Sequence, residues 1–234
     1  MIAIGVTGTD TGVGKTVVSC ALAAGLAGHG ARVGVMKPVE TGIVADNDER
    51  DARRLVRAAW SNDAVSLICP YTFAAPLAPM LAARQAGATI DQGVLDHAFH
   101  EVGSGRDVII VEGAGGLLVP IARHCDFAAL FGRWQLSLVI VAANRLGVVN
   151  HVLLTLHAAR TAALKVAAIV LNPAAGPVPP DESASTNAAL LAELVEGVPV
   201  LQFPWIHEVD DHQLLARAAG ESGLLRATAS SLLR

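Results

Sequence analysis

The clearest chemistry lies in Gly8-Thr9-Asp10-Thr11-Gly12-Val13-Gly14-Lys15-Thr16, between an apolar run over 2–6 and an Ala-rich helical run over 17–27. A strand, a glycine-rich turn and a helix in that order build a cradle for phosphate. The N–H groups of the turn and of the helix start point at the anion. Lys15 adds a compact positive charge for the outer phosphates, and the Thr16 hydroxyl suits a Mg²⁺ ion. The implied ligand is a nucleoside triphosphate. The loop departs from the common G-x-x-x-x-G-K-[ST] spacing. Position 9 is Thr, and Gly8 stands one residue further from Gly14-Lys15.

Two further strand ends carry charge. A run over 31–37 ends in Lys37-Pro38-Val39-Glu40-Thr41-Gly42. On a strand beside the phosphate loop, Lys37 would sit near the γ-phosphate and suit an anionic group there; the bland alternative is a snorkelling surface lysine. The run Val108-Ile109-Ile110-Val111-Glu112 ends in Gly113-Ala114-Gly115-Gly116. One carboxylate delivered by an apolar strand to a glycine-rich turn is the layout that holds Mg²⁺ in triphosphate-using enzymes. Its bland alternative is an acid that caps the turn. Asp46, Asp48, Glu49 and Asp51 cluster around the start of the next helical pattern. They read either as charge set against the helix dipole or as a source of one more metal ligand, and spacing does not choose among them. Asn150 reads as the N-cap of a helix. Asn172 ends a strand where its amide could meet a nucleobase edge, or serve as a turn residue before Pro173. His151 reads as a packed histidine. No Ser/His/Asp or Cys/His set is evident.

The elements that must hold these residues alternate. Strands are expected over 2–6, 31–37, 108–112, 136–142, 165–171 and 198–203. Helices are expected over 15–27, 49–60, 79–86, 92–103, 127–134, 149–163 and 185–195, with a last one from Gln213 onward. Residues 41–48 and the proline-rich 172–182 read as loops. The pattern predicts a mainly parallel sheet with helices on both faces and one domain over 1–234. Ligands in such sheets bind beyond the carboxyl ends of the strands, where every motif above falls.

Composition narrows the class. The chain has 234 residues, 53% of them apolar. No run reaches the ~18 to 20 apolar residues of a membrane helix. The start shows neither the basic stretch nor the cleavage site of a signal peptide, so a cytoplasmic protein is expected. A net charge of −4 argues against a nucleic-acid surface. Cys20, Cys69 and Cys125 read as reduced, inert thiols rather than a disulfide framework or a zinc site. Of 17 basic residues only Lys15, Lys37 and Lys165 are lysine. An Arg-rich codon bias explains the excess and singles out the lysines that remain.

With these residues placed, the chain resembles the dethiobiotin synthetases. Its family-like stretches are 7–16, Lys37-Pro38-Val39, Pro70-Tyr71-Thr72-Phe73, 111–116, Leu146-Gly147 with Asn150-His151, and Pro204-Trp205. The lengthened phosphate loop belongs to that pattern. The resemblance implies a P-loop fold, Mg²⁺, and ATP as co-substrate. It implies that 7,8-diaminononanoate, CO₂ and ATP become dethiobiotin, ADP and phosphate through a carbamate and a carbamic–phosphoric anhydride. By matching position, Lys37, Lys15 and Thr11 are the catalytic set. Thr16, Asp51 and Glu112 are the metal positions, with Asp48 as fallback to Asp51. Thr9, Asp10, Gly12, Val13 and Gly14 join Lys15 and Thr16 around the nucleotide, whose adenine would meet Asn172, Pro204 and Trp205. Thr11, Lys37, Thr41, Pro79 and Gly115 would face the diamine. The resemblance also implies a homodimer in which Gly147, Val149 and Asn150 reach the partner's substrate. Position 12 is Gly where some members have an acid, and the match loosens after Ile206.

Two rival classes fit these residues less well. A switch ATPase of the partition type would carry an extra lysine early in the phosphate loop, where this chain has Thr9, Asp10 and Thr11. A synthetase of the cobyrinate amidation class would add an amidotransferase domain, for which the length leaves no room. A pure binding module would not need Lys37 and a full metal set.

Overall fold

Apolar runs without polar alternation are buried on both faces, so they pair in parallel with helices covering them. The computed structural model describes residues 1–43, 50–173 and 182–232. Its first half runs β1 (Ile2–Gly8), α1 (Lys15–Gly28), β2 (Val33–Met36), β3 (Val39–Thr41), α2 (Asp51–Ala58), α3 (Val65–Ile68) and β4 (Tyr71–Phe73). Then come α4 (Pro79–Gln85), α5 (Gln92–Gly103), β5 (Val108–Gly116), β6 (Pro120–Ala122), β7 (Cys125–Asp126) and α6 (Phe127–Arg133). The chain continues with β8 (Ser137–Asn144), α7 (Val148–Thr161), β9 (Val166–Pro173), a 3₁₀ turn (Glu182–Ser185), α8 (Asn187–Leu194), β10 (Val200–Gln202), α9 (His212–Glu221) and α10 (Leu224–Leu232).

Six strands form one sheet in the order β10-β9-β8-β1-β5-β2, and every neighbouring pair is parallel. All carboxyl ends therefore lie along one edge. Helix α1 packs against α2 and α9, while α7 and α8 bury Val152, Leu156 and Leu191, with Val195 at the end of α8, in a cluster with Ile140 and Ile169 of the sheet. This is the mainly parallel sheet with helices on both faces that the alternation predicts.

Four details differ. Strand β2 does not lie beside β1: β5 stands between them, so Lys37 reaches the phosphate loop across the strand that delivers Glu112. Helix α7 starts at Val148 after Gly147, which is the N-cap at φ +93°. Asn150 therefore lies inside the first turn and is not the cap. The C-terminal pattern is two helices, parted where Gly223 takes φ +80°. The short elements α3, β3, β4, β6 and β7 have no counterpart among the expected elements, because two to four residues are too few to show a period. Asp46, Asp48, Glu49 and most of the 172–182 loop lie outside the described residues.

Among the described residues no helix is long and apolar enough to cross a membrane. The three cysteines are free and buried. Burial pushes the Cys20 and Cys125 thiols up, and burial beside Glu40 raises Cys69 to about 11. The thiolate is the reactive form, so none should react with a disulfide reagent at pH 7.5 in the native protein. All three should react once it is unfolded. Fast titration of one native thiol would contradict this.

Candidate active site

β1 ends at Gly8, where the loop turns back on itself: a Cβ there would stand 2.7 Å from the Asp10 carbonyl oxygen. Asp10 braces the turn by accepting the Thr11 N–H at 2.7 Å. Gly12 and Gly14 take φ of +73° and +93°, a region that L side chains avoid. Gly14 is the N-cap of α1 and offers no side-chain cap. The first amides of α1 are thus left for an anion. Lys15 is buried, and its Nζ donates to the Asp10 carbonyl at 3.0 Å. Burial, helped by the neighbouring Lys37 charge, pulls its pKa down to about 8. An arriving phosphate would restore the full charge.

Behind the loop, three strand or helix ends converge. Lys37 follows β2, Glu112 sits on β5, and Asp51 opens α2. Lys37 Nζ donates to Asp51 Oδ2 at 2.7 Å and to Glu112 Oε1 at 2.5 Å. Lys37 is only 3% exposed, which excludes the snorkelling alternative. Burial opposes its charge, but the Glu112 and Asp51 carboxylates outweigh burial and hold the ammonium above its ordinary range. Likewise burial opposes the Asp51 charge, and Lys37 outweighs it, so that the carboxyl titrates below its usual range. Thr16 Oγ1 donates to Glu112 Oε1 at 2.9 Å. The other oxygen, Glu112 Oε2, is buried without a hydrogen-bond partner.

That orphaned oxygen tests the fit to a metal. A buried carboxylate oxygen without a donor is costly unless a cation takes it. Among the described residues no group of three His, Cys, Asp or Glu could hold an ion. Two carboxylates and a hydroxyl are a sparse set of oxygen donors. They suit Mg²⁺, which keeps its waters and takes phosphate oxygens as further ligands. Thr16, Asp51 and Glu112 fit that ion.

A cleft of about 590 Å³ joins these parts. It is lined by Thr11, Gly12, Gly14, Lys15, Thr16, Lys37, Thr41, Asp51, Pro79, Glu112 and Gly115 of the predicted set. Asn172, Pro204 and Trp205 do not line it. Asn172 Nδ2 donates to the Val13 carbonyl at 3.1 Å, which places Asn172 against the phosphate loop itself. The Phe203 N–H donates to the Leu171 carbonyl at 2.9 Å, so Pro204 and the exposed Trp205 emerge beside Asn172. Thr9 is tied through its N–H to the Val141 carbonyl of β8. Gly147, Val149 and Asn150 are not brought to this cleft. Sequence reasoning missed Glu40 and Arg54, which also line it, and Arg50 behind them. Arg54 stands one helical turn from Asp51, a spacing that could have flagged it.

Parallel sheet, glycine-rich turn, buried lysine and strand-end acid define a P-loop nucleotide-binding protein. Two solved structures share that fold: apo McdA of Cyanthece at TM-score 0.54 and 12% identity over 99% of each chain, and a ParA family ATPase of Chlorobium tepidum at TM-score 0.53 and 18% identity over 99% of this chain and 98% of that one. A family model described as an AAA domain matches residues 3–213. The chain is 39% identical over 92% of its length to an ATP-dependent dethiobiotin synthetase of Anaeromyxobacter sp. strain Fw109-5, covering 96% of that protein. It is 38% identical to the enzyme of that name from Bacillus subtilis strain 168, over 84% of each chain. The chain belongs to the dethiobiotin synthetase family.

Proposed function

We propose that the protein closes the ureido ring of dethiobiotin from 7,8-diaminononanoate, CO₂ and ATP, with release of ADP and phosphate. One observation carries this reading. Lys37 is buried, charged and held between two carboxylates at the wall of a cleft that runs from the phosphate loop to Thr11, Thr41 and Pro79. A second buried cation beside the phosphate loop suits an anionic nucleophile that must approach the γ-phosphate.

The chemistry follows from charge. One amine of the diamine adds to CO₂, loses a proton and becomes a carbamate. The carbamate is a weak anionic nucleophile that must approach an anionic phosphoryl group, so catalysis is positioning and neutralisation. Lys37 holds carbamate and γ-phosphate together, and Lys15 follows the charge onto the leaving ADP. A carbamate oxygen forms a bond to the γ-phosphorus as its bond to ADP breaks. The second amine then attacks the anhydride carbon, a proton and phosphate leave, and the ring closes. Thr16, Asp51 and Glu112 would hold Mg²⁺, whose chemistry is to neutralise the phosphoryl oxygens. Thr11, Thr41, Pro79 and Gly115 shape the diamine side. Asn172 with Pro204 and Trp205 takes the adenine, supported by their adjacency at the sheet edge.

The same reading makes the protein a cytoplasmic homodimer. Three buried free thiols suit a reducing compartment. Leu146, just before the N-cap of α7, and Leu154 on the helix are 82% and 60% exposed, apolar surface that a second copy would cover. Gly147, Val149 and Asn150 beside it would then reach the partner's substrate.

The test is direct. Protein, MgATP, bicarbonate and 7,8-diaminononanoate should give dethiobiotin by mass, with one ADP per ring. ATP hydrolysis that ignores the diamine, or that yields no ring, sinks the proposal.

A further inference from the structure

Helix α2 begins without a cap of its own. Its N-cap position is Arg50, which gives no side-chain cap, yet a helix's first amides need acceptors. The Asp51 N–H finds one on another element. Glu40 of β3 accepts it through Oε1 at 2.7 Å. The second oxygen, Glu40 Oε2, accepts from Arg50 Nε at 3.2 Å and pairs with Nη2 at 3.1 Å. Arg50 Nη2 also donates to the Thr72 hydroxyl in β4 at 2.8 Å. Glu40 is 4% exposed and Arg50 9%. The start of α2 is thus tied to both strands of the β3–β4 ribbon.

A buried ion pair of this kind is poor evidence for stability, because desolvation offsets the attraction. Its geometry points to placement. One carboxylate fixes the backbone amide of Asp51 and the side chain of the residue before it. That sets where α2 starts, and so where Asp51 Oδ2 comes to rest, 2.7 Å from Lys37. We infer that Glu40 and Arg50 are positioning residues of the metal site, holding the Asp51 carboxylate in place before nucleotide arrives. The inference rests on the reading of Asp51 as a Mg²⁺ ligand.

Mn²⁺ is the probe, with binding followed by electron paramagnetic resonance at saturating ADP. Glu40→Met with Arg50→Met removes the acceptor and its paired cation together, so no buried charge is stranded. Glu40→Gln with Arg50→Met keeps an acceptor for the Asp51 amide. The first pair is expected to bind Mn²⁺ about tenfold more weakly and the second within about threefold of the unaltered protein, with ADP affinity in EDTA equal in all. Raised Mg²⁺ should restore kcat in the first pair. Equal Mn²⁺ affinity in the two pairs overturns the inference. Asp51→Asn separates the two ideas. If it leaves Mn²⁺ binding unchanged, Asp51 is no ligand and the underlying reading fails. If it weakens binding and the Met pair does not, the positioning role alone fails. Should the Met pair not fold, amide exchange in the unaltered protein decides: a protected Asp51 amide supports the inference, and exchange at the rate of an uncapped first-turn amide overturns it.

Discussion

Lys37→Gln is expected to lower kcat for ring closure by about 10³-fold, in the range seen when one preorganised charge or donor is taken from a developing anion. ADP affinity should stay within a few-fold, because the proposal gives Lys37 the γ-phosphate and leaves the phosphates of ADP to the loop and Lys15. The substitution has a second signature. Lys37 Nζ is the donor that bridges Asp51 and Glu112. Without it two carboxylates face each other with no cation between them, and stranding a buried charge costs about 3–5 kcal/mol. The metal-free variant should therefore melt well below the unaltered protein. Divalent metal with ADP should return more stability to the variant than to the parent, since the site has lost a competing cation and gained net negative charge. A variant with full turnover would remove Lys37 from the chemistry. One with normal metal-free stability would mean that the bridge is not formed in solution.

The legible parts of the fold are those whose signal is local. The helix expected over 92–103 coincides with α5, whose cap is local: Asp91 accepts from the Gly93 N–H at 2.7 Å. All six sheet strands were found from their apolar runs. Strand order is not legible: nothing in 31–37 says that β5 inserts between β2 and β1, so the sequence alone sets Lys37 on a strand adjoining the loop. The site divides the same way. Lys15, Thr16 and Glu112 are readable because the loop and the strand-end acid are contiguous motifs. Asp51 could be chosen from four acids only by resemblance, since the selecting contacts come from Lys37 and Glu40, 14 and 11 residues away. Glu40 and Arg50 left no trace in sequence, because a cap donated by another strand has no fixed spacing.

Gly14→Ala should weaken nucleotide binding by at least about 100-fold, the loss of two charge-assisted hydrogen bonds from the phosphates. Two effects act on this one methyl. Gly14 holds φ +93°, and an L residue in that region costs roughly 1–2 kcal/mol. The added Cβ would also lie 2.1 Å from Asn172 Nδ2 and 2.9 Å from its Cγ. The amide end of Asn172 must swing aside, and so leave the Val13 carbonyl it now caps at 3.1 Å. The loop loses its brace at the turn that presents amides to phosphate. Two comparisons separate the causes. At Gly12, φ is +73° but a Cβ would meet nothing within 4 Å, so Gly12→Ala carries strain without a clash and should be the milder change. Gly14→Ala with Asn172→Ala deletes the colliding amide, keeps the strain and also gives up the proposed Asn172 contact with adenine. The pair should melt higher than Gly14→Ala alone yet recover nucleotide affinity only in part. Isothermal titration with ADP and thermal unfolding of the four proteins read both terms. If Gly14→Ala binds ADP as the parent does, phosphate is not seated on this turn. If the pair melts no higher than the single variant, the collision with Asn172 is not what unseats the loop.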